Sequence, residues 1–161
     1  MSLSKKIVLL GHFGVGKTSL VRRFVDSAFS EDYIVTMGVQ VKKKEVEVGG
    51  QKIKLIIWDI EGNTSISKAR KSYLIGSQGF IYVYDVTRPE TFENLSSEKQ
   101  YLNKTFPEVP VCSVGNKSDL IDSDQKENFI RNKIFENSIF TSAKTGENVE
   151  RIFLEIAKNV I

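Results

Sequence analysis

One loop near the amino terminus constrains the fold of this chain more than any other feature. It reads Gly11-His12-Phe13-Gly14-Val15-Gly16-Lys17-Thr18, which matches the pattern G-x-x-x-x-G-K-[S/T] in full. The run 5–10, which is apolar from Ile7 onward, precedes the loop, and residues 16–28 carry apolar side chains at helical spacing. A buried strand, a glycine-rich turn and a helix, in that order, are typical of the first unit of a mostly parallel sheet.

The residue types in this loop favour phosphate binding. Glycines allow successive backbone N–H groups to point at one anion, and the helix that follows presents its positive end to the same place. Lys17 is predicted to neutralise the outer phosphates, and the Thr18 hydroxyl is predicted to ligate Mg²⁺. The alternative is a chance glycine turn, which the strand–loop–helix context disfavours.

The remaining sequence alternates apolar runs with amphipathic stretches. Further strands are predicted at 39–48, 52–59, 80–86, 109–115 and 138–141, and further helices at 91–106, 124–135 and from 149 onward. Gly49-Gly50 predicts a hairpin between the first two of these strands. In the helix at 124–135, Phe129, Ile130 and Ile134 are expected to face inward.

These elements predict one α/β domain that spans residues 1–161. Strands that alternate with helices form a mostly parallel sheet, and the helices then cover both faces of it, which makes three layers. The hairpin adds one antiparallel edge strand to a sheet of six strands. Ligands in such sheets bind at the carboxyl ends of the strands.

The composition excludes several functional classes. The single cysteine rules out an internal disulfide, and the single histidine rules out a multi-histidine metal site. A net charge of +3 is too small to indicate nucleic acid binding. No apolar stretch approaches the ~20 residues that span a bilayer, and no cysteine near the end offers a prenyl anchor. We expect a cytoplasmic protein whose membrane association is not evident from this chain.

The phosphate loop predicts a bound nucleotide but leaves its base open. The segment Asn116-Lys117-Ser118-Asp119 predicts that base. It follows the strand at 109–115, so it lies at the same sheet edge as the phosphate loop. Guanine has adjacent N–H donors at N1 and N2, and the Asp119 carboxylate can accept both in a charge-assisted contact. Adenine lacks that donor pair and would leave the carboxylate unsatisfied.

A second segment, Thr141-Ser142-Ala143-Lys144, follows the next predicted strand. At this position a backbone N–H near Ala143 could reach the O6 atom of guanine. The same residues are also consistent with a helix start, and both interpretations can hold.

At this point the sequence resembles the Ras superfamily of small GTPases, nearest to the Rab branch. The phosphate loop, Trp58-Asp59-x-x-Gly62, Tyr84-Asp85-Val86-Thr87, Asn116-Lys117-x-Asp119 and Ser142-Ala143-Lys144 carry the resemblance over essentially the whole chain. It implies the Ras-like P-loop NTPase fold, a GTP or GDP ligand with Mg²⁺, and GTP hydrolysis. It also implies a monomer that binds effector and regulatory proteins at two switch segments.

The resemblance implies roles for individual residues. Tyr33 and Thr36 match the first switch segment, and Phe29 matches the aromatic residue that packs against guanine. Thr36 would ligate Mg²⁺ only in the triphosphate state, and Gly62 would donate its N–H to the γ-phosphate. Loss of one phosphate would therefore release two loops, which is the basis of a switch.

Three sets of site residues follow from the motifs and the resemblance together. The expected metal ligands are Thr18, Thr36 and Asp59, and the residues expected in catalysis are Lys17, Thr36, Gly62 and Asn63. The residues expected at the nucleotide are Phe13, Gly14, Val15, Gly16, Lys17, Thr18, Ser19, Phe29, Tyr33, Thr36, Gly62, Asn116, Lys117, Asp119, Leu120, Ser142, Ala143 and Lys144.

The second switch segment departs from the family pattern. The family usually has Asp-Thr-Ala-Gly-Gln, and this chain has Asp59-Ile60-Glu61-Gly62-Asn63. Asn63 is one methylene shorter than the glutamine that orients the attacking water, so its reach falls by about 1.5 Å. A misplacement of about 1 Å can slow a reaction ~100-fold. Glu61 could place the water instead, although a second carboxylate near phosphate is unfavourable.

The phosphate loop departs at Phe13, a position that is often held by glycine. Its ring is expected over the γ-phosphate side, where the arginine of an activator protein would enter. The alternative places the ring flat on the surface. Together with Asn63, this residue predicts slow intrinsic hydrolysis and a poor response to arginine-donating activators.

The partner-binding surface departs from the Rab pattern as well. Trp58 and Tyr73 match two of the aromatic residues between the switches, whereas Val41 replaces the usual phenylalanine. Trp58 could instead serve only to pack the sheet. The run Lys42-Lys43-Lys44 is expected to be a solvated edge-strand face, with an acidic or membrane docking patch as the alternative.

Three rival functions remain at the level of sequence. A GTP-locked interaction module with negligible hydrolysis is favoured by Asn63 and Phe13. A P-loop ATPase or kinase is disfavoured by Asp119. A nucleic-acid-binding protein is disfavoured by the modest charge and by the lack of aromatic–basic interleaving.

Overall fold

The computed structural model describes residues 3–30 and 36–161. The strands are Leu3–Leu10 (β1), Val39–Val48 (β2), Gln51–Ile60 (β3), Gly79–Asp85 (β4), Val111–Asn116 (β5) and Ile139–Phe140 (β6). The α-helices are Lys17–Asp26 (α1), Lys71–Leu74 (α2), Leu95–Thr105 (α3), Ser123–Arg131 (α4) and Val149–Asn159 (α5). Short 3-10 turns lie at Ile66–Lys68, Pro89–Thr91, Ser118–Leu120 and Lys133–Phe135. Within these described ranges, no helix has the length and apolar character needed to cross a membrane.

The strands form one six-stranded sheet in the order β2-β3-β1-β4-β5-β6. Only the β2–β3 pair is antiparallel, and the other four pairs are parallel. The predicted sheet is therefore confirmed, including its antiparallel edge strand. From β1 the chain continues to β3 on one side and later to β4 on the other, so a crevice opens at the carboxyl end of β1. The phosphate loop occupies that position.

Helices cover both faces of the sheet, and each face has its own apolar core. On one face, α1 and α5 bury their apolar sides against alternate residues of the central strands. The rings of Phe24 and Phe153 stack there, with centroids 4.1 Å apart. On the other face, residues of α2 and α3 pack against the intervening strand residues, as Leu95 and Leu102 of α3 do. This alternation is the period of two that strands impose.

The prediction that Ile130 and Ile134 face inward is wrong. Their exposed fractions are 58% and 43%, whereas Phe129 packs against the core as predicted. Ile130 lies within α4, one position after Phe129, so the helix turns it about 100° away from the side that Phe129 packs on. Ile134 is exposed because α4 ends at Arg131 and a 3-10 turn follows. The Asn132 side chain accepts a hydrogen bond from the Ile134 N–H at 3.0 Å and starts that turn. The turn rotates the chain so that Phe135, and not Ile134, enters the core.

The predicted helix at 91–106 begins later than expected, at Leu95. The Thr91 hydroxyl accepts from the Asp85 N–H at 2.9 Å and contacts the Arg88 carbonyl at 2.7 Å. A threonine side chain that bonds to nearby backbone competes with helix formation. Thr91 therefore joins the end of β4 to the turn before α3. The short helix α2 and the turn at Ile66–Lys68 had no counterpart in the sequence prediction.

Substitution of a buried apolar residue should destabilise the protein more than substitution of an exposed one. Replacement Phe153→Ala should lower the free energy of unfolding by about 3–5 kcal/mol, because it removes a fully buried, stacked ring. Ile130→Ala should lower it by less than about 0.5 kcal/mol, since that side chain lies on the surface. Urea unfolding followed by circular dichroism measures both. An equal loss in the two variants would contradict the placement of Ile130.

Candidate functional site

A cavity of about 360 Å³ opens at the carboxyl edge of the sheet. It is lined by Phe13, Gly14, Gly16, Lys17, Thr18, Ser19, Phe29, Ser30, Thr36, Gly62, Asn116, Lys117, Asp119, Leu120, Ala143 and Lys144. These are the residues that the motifs singled out, with Ser30 added. Val15 and Ser142 do not line the cavity but are buried and contact residues that do. Tyr33 lies outside the described residues.

Lys17 lies at the phosphate-loop end of the cavity and is only 6% exposed. Its Nζ donates to the carbonyl oxygens of Gly11 and His12, at 3.2 and 3.0 Å. Burial lowers the pKa of the Lys17 ammonium to about 8, and the charge of Asp59 opposes that shift. A buried ammonium held by neutral carbonyls, beside the amino end of α1, is a strong site for an anion.

The shape of the loop depends on Gly16 and Asn116. Gly16 has a φ of +101°, and a Cβ atom there would lie 2.2 Å from the Asn116 side-chain nitrogen. That nitrogen donates to the Val15 carbonyl at 2.9 Å, and the amide oxygen accepts from the Thr141 hydroxyl at 3.0 Å. Asn116 is 1% exposed. Its amide therefore joins the phosphate loop to the ends of β5 and β6.

Lys117 makes a second connection between the two ends of the cavity. Its Nζ donates to the Gly14 carbonyl at 2.8 Å and pairs with the Asp85 carboxylate at 2.9 Å. Asp85 is buried at the end of β4, and its other oxygen accepts from the N–H and the hydroxyl of Thr87. The Lys117 side chain therefore lines the cavity wall between the loop and Asp119.

Asp119 lines the same cavity from the 3-10 turn that follows β5. The buried Ser142 hydroxyl donates to Asp119 Oδ1 at 2.8 Å, which orients the carboxylate. The adjacent backbone is held from α1, where Arg23 Nε donates to the Ala143 carbonyl at 2.8 Å and the guanidinium contacts the Lys144 carbonyl. Sequence reasoning missed Arg23, because an arginine in the last turn of a helix is ordinary.

The three predicted metal ligands converge beside Lys17. The Thr18 hydroxyl lies 2.7 Å from the Thr36 hydroxyl and 2.6 Å from Asp59 Oδ2. Asp59 is buried, and among the described residues its Oδ1 has no hydrogen-bond partner. Burial raises the pKa of this carboxyl, whereas the Thr18 hydrogen bond and the charge of Lys17 oppose the shift.

This donor set fits magnesium. Mg²⁺ prefers hard oxygen ligands and is usually held by one or two carboxylates together with substrate phosphates. Two hydroxyls and a buried carboxylate with an unused oxygen provide such ligands. Residues 3–30 and 36–161 contain no cluster of three or more His, Cys, Asp or Glu side chains that could hold a metal elsewhere.

Comparison with known proteins identifies the family. A family model described as the Ras family matches residues 6–161. The chain is 40% identical to the Ras-related protein Rab-1A of Dictyostelium discoideum, in an alignment that covers 96% of this chain and 79% of that protein. It is 38% identical to the GTP-binding protein ypt1 of Schizosaccharomyces pombe, with the same coverage. This chain belongs to the Ras family. Its relatives make it a Rab-like GTPase.

In this Rab-like GTPase the two unusual side chains of the second switch segment point away from the large cavity. Asn63 Nδ2 donates to the Glu61 carbonyl at 3.0 Å, and the Asn63 N–H donates to the Gly11 carbonyl at 3.1 Å. The Glu61 carboxylate accepts from the Gly38 N–H at 3.3 Å. Both residues line a separate cavity of about 10 Å³. Neither residue lines the large cavity.

Between them, the backbone of Gly62 packs directly on the phosphate loop. A Cβ atom on Gly62 would lie 2.4 Å from the Phe13 nitrogen, so only glycine permits this approach. The Phe13 side chain lines the cavity and is about half exposed. Its carbonyl accepts from Arg88 at 2.8 Å. Sequence reasoning missed Arg88, which lies 75 positions away along the chain.

Loss of the Asp119 carboxylate should abolish base selectivity. In Asp119→Ala the affinity for GDP should fall by at least ~100-fold while the affinity for ADP changes little, because the charge-assisted bidentate contact is lost. Asp124→Ala, an exposed carboxylate on α4, is the matched control and should bind both like the wild type. Titration with fluorescent nucleotides measures the six dissociation constants of the wild type and the two variants. Retained preference for GDP in Asp119→Ala would contradict the assignment.

Proposed function

We propose that this protein is a guanine-nucleotide switch that binds GTP or GDP with Mg²⁺ and hydrolyses GTP slowly. The observation that carries the proposal is the cavity of about 360 Å³ that both the phosphate loop and Asp119 line. Membership of the Ras family supports the general activity. The finer statements on base, metal and rate depend on the positions of individual side chains.

The base-side residues support guanine. Asp119 would accept from N1 and N2 of the base, with Ser142 holding the carboxylate in place. Phe29 and Leu120 line the same cavity and can cover the apolar faces of the ring. Ala143 lies beside them, where its backbone N–H is available to the base oxygen. Adenine lacks the adjacent pair of N–H donors, so it would leave the carboxylate without these two hydrogen bonds.

The phosphate-side residues support a triphosphate. Lys17 and the amino end of α1 would neutralise the outer phosphates. Thr18, Thr36 and Asp59 would hold Mg²⁺, which when bound supplies positive charge to the β- and γ-phosphate oxygens. Because Thr36 belongs to the first switch segment, its contact with the metal site would depend on which nucleotide is bound.

Slow hydrolysis is supported by the position of Asn63. The reaction adds a water oxygen to the γ-phosphorus and breaks the bond to the β-phosphate oxygen, so the rate depends on how well the water is placed. The Asn63 amide nitrogen donates to the Glu61 carbonyl, and Asn63 lines the separate small cavity rather than the large one. The same observation favours the second candidate, a GTP-locked interaction module with negligible hydrolysis.

Phe13 supports a weak response to activator proteins. Its half-exposed ring lines the cavity on the phosphate-loop side, and Arg88 holds its carbonyl from the neighbouring turn. An arginine donated by an activator would have to enter past this ring. Effector and regulatory proteins would bind at the switch segments, where Trp58 and Tyr73 lie with ring centroids 6.3 Å apart.

Nucleotide content tests the general proposal. Protein purified without added nucleotide, then denatured and analysed by chromatography, should release GDP or GTP and no adenine nucleotide, because Asp119 selects the base. A time course of the loaded protein then separates the two candidates. Conversion of GTP to GDP over hours supports slow turnover, and unchanged GTP supports the locked module. Release of adenine nucleotide would contradict both.

Lengthening one side chain tests the rate proposal. Asn63→Gln should raise the single-turnover rate of GTP hydrolysis on the order of tenfold or more, because the amide then reaches the attacking water. Asn63→Ala is the matched control and should change the wild-type rate by less than about threefold, since the native amide does not orient water. A wild-type rate as fast as that of Asn63→Gln would contradict the proposal.

A further inference from the structure

Glu61 links the two switch segments through its side chain. Its Oε2 accepts from the Gly38 backbone N–H at 3.3 Å, and its Oε1 lies 3.9 Å from Arg70 Nε. The backbone adds a third contact, because the Glu61 N–H donates to the Gly38 carbonyl at 2.8 Å. Gly38 follows Thr36 by two residues, and Arg70 immediately precedes α2. Glu61 therefore contacts Gly38 in the first switch segment and Arg70 just before α2.

The contacts between Glu61 and Gly38 lie just beyond the end of the β2–β3 ladder. The β2–β3 ladder ends at the pair Val39 and Ile60, so Gly38 and Glu61 form the next pair beyond it. Gly38 has a φ of +74°, which turns the chain out of the ladder. In the described part of the chain, the Gly38 N–H finds its acceptor in the Glu61 carboxylate. The Glu61 side chain thus provides one more hydrogen bond between the two segments, beyond the last pair of the ladder.

This chain differs here from its family, which usually has alanine at the position of Glu61. An alanine retains the backbone hydrogen bond to the Gly38 carbonyl but offers no acceptor to the Gly38 N–H. The extra contact in this chain joins a carboxylate oxygen to the Gly38 N–H at 3.3 Å, the long end of the hydrogen-bond range. The ion pair with Arg70 adds little, because it is long and Arg70 is 67% exposed.

We propose that Glu61 is a positioning residue that holds Thr36 at the metal site by anchoring Gly38. The Thr36 hydroxyl lies 2.7 Å from the Thr18 hydroxyl, and both flank Asp59. Fixing Gly38 restricts the two peptide units that separate it from Thr36, so less conformational entropy is lost when Thr36 meets the metal and phosphates. The inference rests on the proposed function, since it concerns the nucleotide-bound state.

The consequence is a bias toward the triphosphate state. Only a triphosphate engages Thr36 under the proposed mechanism, so the Glu61 anchor should strengthen triphosphate binding and leave diphosphate binding almost unchanged. A general role of Glu61 in folding would instead affect both nucleotides. This difference separates positioning from simple stabilisation.

The test compares dissociation of two fluorescent nucleotides in the presence of Mg²⁺, a GDP derivative and a non-hydrolysable GTP derivative. Glu61→Ala should raise the dissociation rate of the triphosphate derivative by about five- to tenfold. The rate for the diphosphate derivative should change by less than about twofold, because that state does not use Thr36. Equal acceleration of both, or no acceleration of either, would overturn the proposal.

Three variants serve as controls. Glu61→Gln retains an oxygen that can accept from the Gly38 N–H, so it should restore most of the wild-type rate for the triphosphate derivative. Arg70→Ala removes only the long ion pair and should change this rate by less than about twofold. Glu47→Ala removes an exposed carboxylate from the same hairpin and should have no effect. A Glu61→Gln variant as fast as Glu61→Ala would overturn the role of the Gly38 contact.

The wild-type measurement separates this inference from the proposed function. Wild-type protein that binds neither guanine derivative would refute the proposed switch, and the inference with it. Wild-type protein that binds both, together with a Glu61→Ala variant that releases them at wild-type rates, would refute only the role of Glu61. Thermal unfolding of each variant identifies any loss of stability.

Discussion

The buried amide of Asn116 is the contact on which the geometry of the site depends. It donates to the Val15 carbonyl and accepts from Thr141, so one side chain holds the phosphate loop against the ends of β5 and β6. An amide buried to this degree is costly unless both its donor and its acceptor are used, and here both are. Lys117 adds a parallel connection through Gly14 and Asp85. The distance between the phosphate end and the base end of the cavity is thereby set by the sheet.

The wall of the cavity formed by Thr36 and Gly62 is held by a different kind of contact. Thr36 and Gly62 belong to segments outside the ladders of the sheet, and they reach the cavity through side-chain and backbone contacts at its phosphate end. Within residues 3–30 and 36–161, their anchors include the Thr18 hydroxyl, the phosphate-loop backbone, the Glu61 carboxylate and the hydrogen bonds of the Glu61 and Asn63 N–H groups. A site with one wall fixed by the sheet and one wall held by a few polar contacts is suited to a protein whose loops respond to a single phosphate.

The residues that depart from the family pattern lie next to one another around Gly62. Asn63 donates to the Glu61 carbonyl, Glu61 accepts from Gly38, and Gly62 packs on the Phe13 backbone. These side chains therefore bond to backbone rather than project into the cavity, with Phe13 as the exception. Their combined effect is a second switch segment docked on its neighbours.

Much of the fold and of the candidate site could be predicted, because the signals are local. The glycine pattern ending in Lys17 and Thr18, and the segment ending at Asp119, combine the required backbone freedom and charges within a few residues of a strand end. The alternation of apolar runs with amphipathic stretches then predicted a mostly parallel sheet with helices on both faces. Predictions failed where a polar side chain intervened locally, as Asn132 does when it ends α4 and turns Ile134 outward.

The sequence by itself predicted the chemistry of the site: residue type and spacing indicated a phosphate loop and a carboxylate for the base, and the family resemblance implied the oxygen-ligand set. Only the tertiary structure decided where Asn63, Glu61 and Arg88 point. Asn116 and Val15 lie 101 positions apart, and Arg88 lies 75 positions from Phe13. Contacts of that separation depend on how the sheet brings strand ends together, and no local pattern of residues records them.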